Sequence, residues 1–262
     1  MNALPLLRPD WCAPPGVGAA MSQRGGGMSS GEDGRYASLN LGVAVGDEPA
    51  AVAENRARFA AALGAQPVWL RQVHGIRVMR LHAGSDMTPD EPADAAWTSD
   101  PGVACTVQVA DCLPVLFARR DGSAVAAAHA GWRGLAAGVL EATLQALCNG
   151  ADDGRRTAPA DVVAWLGPCI GPREFEVGAD VVQAFGEDPA APDARCFVYR
   201  ARPEGTARWL VHLTRLARKR LAAAGVQHIT EARACTAEDR SAFFSFRRDG
   251  VTGRMAAAVW RS

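Results

Sequence analysis

Two histidines and one cysteine lie in short segments whose composition suggests chemistry rather than packing. They are His74, Cys112 and His129, and each adjoins a stretch typical of a β-strand. Two imidazoles and a thiolate can bind zinc, and three protein ligands leave a fourth position open, as in catalytic zinc sites. We therefore expect a catalytic metal site that holds zinc and also accepts copper. The three segments are residues 72–75 (Gln-Val-His-Gly), 110–114 (Ala-Asp-Cys-Leu-Pro) and 129–134 (His-Ala-Gly-Trp-Arg-Gly).

Each of these residues also has a plainer interpretation. His129 could cap a turn, His74 could lie in a hairpin, and a free cysteine such as Cys112 is usually a small buried apolar side chain. The residues next to them in the sequence favour a functional role over these plainer interpretations. Asp111 precedes Cys112 and is the candidate general base. Arg133 follows His129 at a predicted helix start, where free N–H groups favour anions.

Composition narrows the classes of function. The 262 residues carry 28 basic and 28 acidic side chains, so the formal net charge is zero and no electrostatic footprint for nucleic acid or an anionic membrane is visible. No apolar stretch approaches a membrane span or a signal-peptide core. The seven cysteines include no C-x-x-C pair, which favours reduced thiols. We expect a cytoplasmic protein, monomeric or weakly dimeric, that binds neither nucleic acid nor membrane.

The elements that must position these residues follow from hydrophobic periodicity. Helices are predicted at 50–63, 134–147, 174–185 and 207–224, the last with His212 in its middle. Strands are predicted at 68–73, 76–81, 103–109, 113–118, 123–128, 161–166, 196–199 and 254–260. Three of these strands follow one another without a helix between them, which excludes a simple βαβ arrangement. The sequence therefore predicts one α/β domain over residues 1–262, with mixed sheets and helices packed on them.

Two further segments have the composition of substrate-binding loops. Residues 167–172 (Gly-Pro-Cys-Ile-Gly-Pro) form a double turn, although a plain strand-to-helix connection explains them equally well. Residues 243–250 (Phe-Phe-Ser-Phe-Arg-Arg-Asp-Gly) place aromatics beside Arg247 and Arg248, but a β-hairpin with a charged tip would look the same. Aromatic rings stack on bases and arginines bind phosphate, so this loop could hold a nucleoside and an oxyanion.

Six segments in the same order resemble the YfiH-type laccase-domain family. They are residues 72–75, 110–112, 129–134, 167–171, 175–178 and 247–250, and residues 38–42 (Ser-Leu-Asn-Leu-Gly) and 54–56 (Glu-Asn-Arg) add to the match. Members are described as purine nucleoside phosphorylases, multicopper polyphenol oxidases and peptidoglycan editing factors. The resemblance runs from about residue 11 to residue 259.

The resemblance implies a fold, a ligand set and an activity. The fold is a single α/β domain with sheets between helices, similar to cytotoxic necrotizing factor-like cysteine hydrolases. The ligand set is zinc on His74, Cys112 and His129, and the matching motifs make Asn40 and Gln72 substrate-binding residues. The activity is phosphorolysis of adenosine, inosine, guanosine and methylthioadenosine, together with adenosine deamination.

Three functions compete on these residues. The leading one is a purine nucleoside enzyme, in which Arg133 with Arg247 or Arg248 would hold phosphate. The second is a metal-free cysteine hydrolase, with Cys112 as nucleophile and His129 as base, acting on amide bonds of cell-wall precursors. The third is a zinc-stabilised protein without catalysis. A complete laccase centre needs more imidazoles than five histidines supply, although one copper at the three ligands could give weak polyphenol oxidation.

Overall fold

The computed structural model describes residues 4–150 and 156–262, within which the chain forms fourteen strands and six α-helices. The strands are β1 (Leu6–Leu7), β2 (Val17–Ser22), β3 (Gln66–Trp69), β4 (Val78–Arg80), β5 (Ala95–Thr98), β6 (Val103–Val109), β7 (Leu113–Arg119), β8 (Val125–Ala130), β9 (Val162–Leu166), β10 (Glu176–Val177), β11 (Phe197–Tyr199), β12 (Trp209–Val211), β13 (His228–Glu231) and β14 (Met255–Arg261). The helices are α1 (Pro49–Leu63), α2 (Trp132–Ala137), α3 (Val139–Asn149), α4 (Ala179–Ala184), α5 (Leu213–Ala223) and α6 (Phe246–Asp249).

The described strands form three sheets. Their orders are β1-β2-β14-β6-β3, β13-β9-β7-β8-β5-β4 and β10-β12-β11. Both larger sheets are mixed, because β3 runs parallel to β6 and β13 parallel to β9, whereas β7 runs antiparallel to β8 and β9. The predicted mixed α/β fold is confirmed.

The two larger sheets pack against each other, and helices cover their outer faces. In β7, Val115 and Phe117 lie in the core shared with α3 and α5, whereas Leu116 lies in the core between the sheets. On the other side, Phe59 and Leu63 of α1 pack on the five-stranded sheet. Alternate side chains of a strand point to opposite faces, so a strand covered on both sides must be apolar throughout.

Helix α1 confirms the helix predicted at 50–63. It begins at Pro49, where a missing N–H leaves no hydrogen bond unmade. It ends at Gly64, whose φ of 67° is the left-handed conformation that favours glycine after a helix.

Of the other three predicted helices, one is divided and two are shorter than expected. The helix predicted at 134–147 is divided at Gly138, whose φ of 105° ends α2 and precedes α3. The one predicted at 174–185 is reduced to α4, because its first turn pairs as β10 with β12. The one predicted at 207–224 begins with β12, so His212 precedes α5 instead of lying mid-helix.

Two of the missed strands, β2 and β5, have weak local signals. β2 (Val-Gly-Ala-Ala-Met-Ser) consists mainly of small residues, which have low β-propensity, and β5 (Ala-Ala-Trp-Thr) has only four residues, two of them alanine. Pairing with β14 and β8 respectively supplies what local preference does not. The prediction that His129 follows its strand is also wrong, because β8 extends to Ala130 and includes it.

None of the described helices is long and apolar enough to cross a membrane. All seven cysteines are free, in agreement with the prediction that they form no disulfide framework.

Candidate metal centre

The structure brings the three predicted ligands together at one end of the six-stranded sheet. Cys112 directly precedes β7, and the β7–β8 register sets Pro114 opposite His129. His74 lies in the connection between β3 and β4, where the chain passes from one sheet to the other. Cys112 and His129 are therefore neighbours through strand pairing, whereas His74 is brought to them by a loop.

Their ligand atoms are close enough to share one ion. All lie within 4.8 Å of one another, and Cys112 Sγ is 3.8 Å from His74 Nε2. The two imidazole rings meet edge to face at 4.8 Å between centroids. Ligands on tetrahedral zinc lie about 4 Å apart, so only small side-chain adjustments separate this arrangement from a bound geometry. The two nitrogens and one sulfur fit zinc, and a single copper as well.

Asp94 holds both histidines in place, although no sequence pattern marked it as a site residue. Its buried carboxylate accepts hydrogen bonds from the backbone N–H groups of Val73 (3.0 Å), His74 (2.8 Å) and Gly75 (2.7 Å). The same carboxylate lies 2.8 Å from His129 Nδ1. A proton on Nδ1 leaves the Nε2 lone pair of His129 free to bind a metal. Histidines that bind a metal usually donate their other ring N–H to a carboxylate in this way.

The carboxylate of Asp94 is ionised at neutral pH. Burial would raise its pKa, but the hydrogen bonds from His129 and from the backbone of Gly75 and Val73 outweigh burial and hold the pKa below its usual value. Asp94 directly precedes β5, a strand that was not predicted, so nothing in the sequence connected it to His129.

Because Gly131 has no side chain, His74 and Cys112 can lie directly beside it. A Cβ atom at this position would lie 2.7 Å from His74 Cδ2 and 3.1 Å from Cys112 Sγ. Gly134 is equally constrained, since its Cβ would lie 2.9 Å from the carbonyl oxygen of Gly75. The glycines of residues 129–134 therefore allow the loop of His74 to approach β8.

Cys112 and His129 form a thiolate–imidazolium pair when no metal is bound. Burial raises the pKa of Cys112, but the charge and hydrogen bond of His129, with a smaller effect of His74, lower it to about 6. For His129 burial acts in the opposite direction and lowers the pKa, but Cys112 and Asp94 outweigh burial and raise the pKa to about 9. A thiolate at neutral pH is both a better nucleophile and a better metal ligand than a thiol.

The side chain of Asp111 is hydrogen-bonded to neighbouring loops. Its buried carboxylate accepts hydrogen bonds from Thr236 Oγ1 (2.6 Å), Ser245 Oγ (3.0 Å) and the backbone N–H of Arg247 (2.6 Å). Its φ of 92° turns the chain between β6 and Cys112. These contacts favour a positioning role, and the general-base role stays a prediction.

A cavity of about 640 Å³ opens beside the three ligands. Gln72 lines it, but the side-chain amide of Gln72 is paired with the backbone of Gln108, accepting at 2.7 Å and donating at 2.9 Å. Asn40 is fully buried behind the wall, where its side-chain oxygen accepts from the backbone N–H groups of Gly42 (2.9 Å) and Arg254 (2.8 Å). Both predicted substrate-binding amides thus shape the cavity by holding its backbone.

The three arginines predicted to bind phosphate do not line this cavity. Arg133 is exposed and stacks on the Trp132 ring at 4.2 Å. Arg247 donates to the carbonyl oxygens of Glu174 and Glu176, both at 3.1 Å.

The guanidinium group of Arg248 also contacts other protein groups. It pairs with Asp249 at 2.7 Å and donates to the backbone of Thr236 and Ala237, each at 3.0 Å. Residues 246–249 form helix α6 instead of a hairpin tip, which directs this arginine toward the neighbouring loop.

Three other arginines, Arg56, Arg71 and Arg254, do line the cavity, and Arg71 is exposed and donates through Nε to the carbonyl oxygen of Asp90 at 2.7 Å. Arg56 belongs to residues 54–56, which contributed to the family resemblance, but no local signal marked Arg254. Phe246 and Val43, both largely exposed, lie at the same cavity.

Comparisons with known proteins agree with this geometry. The family profile described as "Multi-copper polyphenol oxidoreductase laccase" matches residues 18–262. A Pseudomonas aeruginosa protein named purine nucleoside phosphorylase is 48% identical over 261 residues, covering 99% of each chain. The Escherichia coli purine nucleoside phosphorylase YfiH is 46% identical, covering 97% of this chain and 98% of its own.

The same likeness extends to a solved structure. A crystal structure of a Neisseria meningitidis protein superposes with a TM-score of 0.86 at 42% identity, covering 98% of this chain and 99% of that one. The order of the six segments, the mixed sheets and the converging His-Cys-His set therefore have one explanation: the chain belongs to the YfiH-type laccase-domain family.

Proposed function

We propose that this protein is a zinc-dependent purine nucleoside phosphorylase. The observation that carries the proposal is the His74–Cys112–His129 set, which borders a cavity of about 640 Å³. That volume is typical of small-molecule sites. The relatives named purine nucleoside phosphorylase support the choice of substrate.

The proposed reaction exchanges one bond for another. A phosphate oxygen forms a bond to C1′ of the ribose as the bond from C1′ to N9 of the purine breaks. The electron pair stays on the base, which takes up a proton, and the products are ribose 1-phosphate and free purine. Zinc would supply a Lewis acid beside the reacting groups. The chain contributes the cavity that orients the nucleoside and the Asp94 contacts that fix both histidines.

The narrower substrate assignments belong to the same proposal. We propose adenosine, inosine, guanosine and methylthioadenosine for phosphorolysis. For adenosine we also propose deamination, in which water adds to C6 of the base, the bond from C6 to the amino nitrogen breaks, and inosine and ammonia are the products. The seven free cysteines support a cytoplasmic location. Weak polyphenol oxidation with copper at the three ligands would be a metal-substitution effect.

A metal-free cysteine hydrolase is the second candidate, and one observation favours it. Cys112, His129 and Asp94 follow the order nucleophile, base and orienting carboxylate, with His129 Nδ1 2.8 Å from Asp94. Metal content separates the two candidates, because a nucleophilic Cys112 must be free of metal.

The test combines metal analysis with two assays on the purified protein. One assay follows inosine plus phosphate to hypoxanthine and ribose 1-phosphate, and the other follows amide hydrolysis of a cell-wall precursor. We expect one zinc per chain, phosphorolysis that chelation removes and zinc restores, and loss of turnover in Cys112→Ala. The matched control is Cys12→Ala at an exposed cysteine. Amide hydrolysis that rises on chelation would instead establish the hydrolase.

A further inference from the structure

Two partly buried arginines in the wall of the cavity, Arg56 and Arg254, form no salt bridge with any described residue. Arg56 donates through Nε to the carbonyl oxygen of Leu41 at 2.9 Å, and its guanidinium stacks on the Trp69 ring at 4.1 Å. Its remaining contact, from Nη2 to Gln108 Oε1, is long at 3.5 Å. Within residues 4–150 and 156–262, no acidic side chain pairs with it.

Arg254 is held in a similar way from the opposite end of the chain. Its Nη1 donates to the carbonyl oxygens of Thr252 (2.9 Å) and Gly253 (3.0 Å), and no described residue accepts from Nε or Nη2. Its stem lies against Gly42, where an added Cβ would be 2.7 Å from Arg254 Cγ. The side chain is thus fixed, while part of its guanidinium fork stays available.

Both side chains keep their charge in this half-buried setting. Burial lowers the pKa of Arg56 to about 10 and also lowers that of Arg254, which leaves both cationic at neutral pH. Burying a cation costs free energy, and a bound anion offsets that cost. For Arg254, the charges of Cys112 and Asp111 act against burial and raise its pKa, whereas Arg56 has no such neighbour. Asp90 also lines the cavity, next to Arg71, whose Nε donates to the backbone carbonyl oxygen of Asp90 at 2.7 Å.

We propose that Arg56 and Arg254 form the oxyanion subsite of this cavity and bind inorganic phosphate next to the ligand set. The assignment rests on the proposed phosphorolysis for its choice of anion. Guanidinium groups bind phosphate through planar, paired N–H donors. The three arginines predicted from the sequence are bound to backbone oxygens, to a carboxylate or to an aromatic ring outside the cavity. Arg71 lines the cavity too, but it is exposed, whereas Arg56 and Arg254 are partly buried and held by backbone oxygens.

The test uses full-length, zinc-loaded protein with the variants Arg56→Met, Arg254→Met and Arg254→Lys. Arg58→Met is the matched control, because Arg58 lies on the same helix, pairs with Glu54 at 2.8 Å and does not line the cavity. Steady-state kinetics with inosine give separate KM values for phosphate and nucleoside. In parallel, the rise of Tm with inorganic phosphate, and with acetate as a carboxylate comparator, reports binding without turnover.

We expect each Met variant to raise the phosphate KM about tenfold or more, the effect of losing one charged hydrogen bond. The nucleoside KM should change little, and Arg254→Lys should fall between wild type and Arg254→Met. An unchanged phosphate KM, an equal rise of both KM values, or a Lys variant identical to wild type would overturn the subsite.

The Tm measurements distinguish the proposed phosphate subsite from the proposed phosphorolysis. If wild type turns over no nucleoside but phosphate raises its Tm, and Arg254→Met and Arg56→Met lose that rise while Arg58→Met retains it, the subsite stands and phosphorolysis falls. If phosphorolysis proceeds normally in the Met variants, phosphorolysis stands and the subsite falls. Stabilisation by acetate but not by phosphate would overturn the choice of anion.

Discussion

Asp94 and His129 are joined twice, through backbone and side chain. The backbone N–H of His129 donates to the carbonyl oxygen of Asp94 at 2.7 Å, and His129 Nδ1 lies 2.8 Å from the Asp94 carboxylate. Because the same carboxylate also accepts from the backbone of His74, one buried side chain orients two of the three ligands. The geometry of the candidate metal site therefore depends on a residue that does not itself belong to the proposed ligand set.

Replacing this carboxylate should weaken metal binding. Asp94→Asn cannot accept a hydrogen bond at every position that the carboxylate now fills, so His129 and the loop of His74 lose their common anchor. We expect zinc affinity to fall about 10- to 100-fold, measured by competition with a chelator. Asp33→Asn, at a side chain that is 90% exposed, is the control. Unchanged affinity in Asp94→Asn would contradict the anchoring role.

Gly131→Ala should separate the ligands without removing any of them. Its Cβ would lie 2.7 Å from His74 Cδ2, so the ring of His74 or the loop that carries it must move. We expect bound zinc and turnover to fall, with a loss of about 1–3 kcal/mol in the free energy of unfolding. Gly25→Ala is the control, since its Cβ would meet its nearest neighbour at an ordinary 3.8 Å. Full zinc occupancy in Gly131→Ala would show that the loop adapts freely.

The metal-free protein should have a reactive thiolate at Cys112. Because His129 holds the pKa of this thiol at about 6, alkylation by iodoacetamide should be fast above pH 6 and slow as the pH falls below it. His129→Ala removes the neighbouring positive charge, so the half-maximal rate should move to higher pH. Site-resolved mass spectrometry follows the reaction, and zinc should protect the cysteine. A half-maximal rate at the ordinary thiol pKa of about 8.5 would contradict the ion pair.

Buried Cys169 provides the internal comparison. Burial raises the pKa of the Cys169 thiol far above that of Cys112, so it should stay unmodified across the same pH range.

Asp111→Ala should destabilise the fold more than it alters the chemistry directly. The substitution leaves Thr236 Oγ1, Ser245 Oγ and the N–H of Arg247 without their acceptor. We expect a loss of about 3 kcal/mol in the free energy of unfolding, measured by urea denaturation. Thr236→Ala, which removes one of these contacts, should cost about 1 kcal/mol. If Asp111→Ala instead keeps wild-type stability, loses most of its turnover, and shows a residual rate that no longer depends on pH, the result would support the general-base role.

The chemistry of the ligand set followed from residue types alone. His74 and His129 lie in segments with glycine, and Cys112 lies between an aspartate and a Leu-Pro pair, so the three could be selected by their neighbours even though each also has a plainer interpretation. Central strands such as β6 and β7 were equally clear, because burial on both faces requires continuous apolar residues. Helix α1 carried its own start and stop signals in Pro49 and Gly64.

Only the tertiary structure decided which charged side chains serve the site. Carboxylates and arginines are common on every surface, so their type carries little information, and their role depends on what faces them. Asp94 reaches His129 through the pairing of β5 with β8, although β5 has only four residues, two of them alanine, and was not predicted. Arg56 from α1 and Arg254 beside β14 meet at one cavity, whereas Arg133, Arg247 and Arg248 point elsewhere. Strand register and helix packing set these directions through contacts between residues far apart in the chain, and no local pattern encodes such contacts.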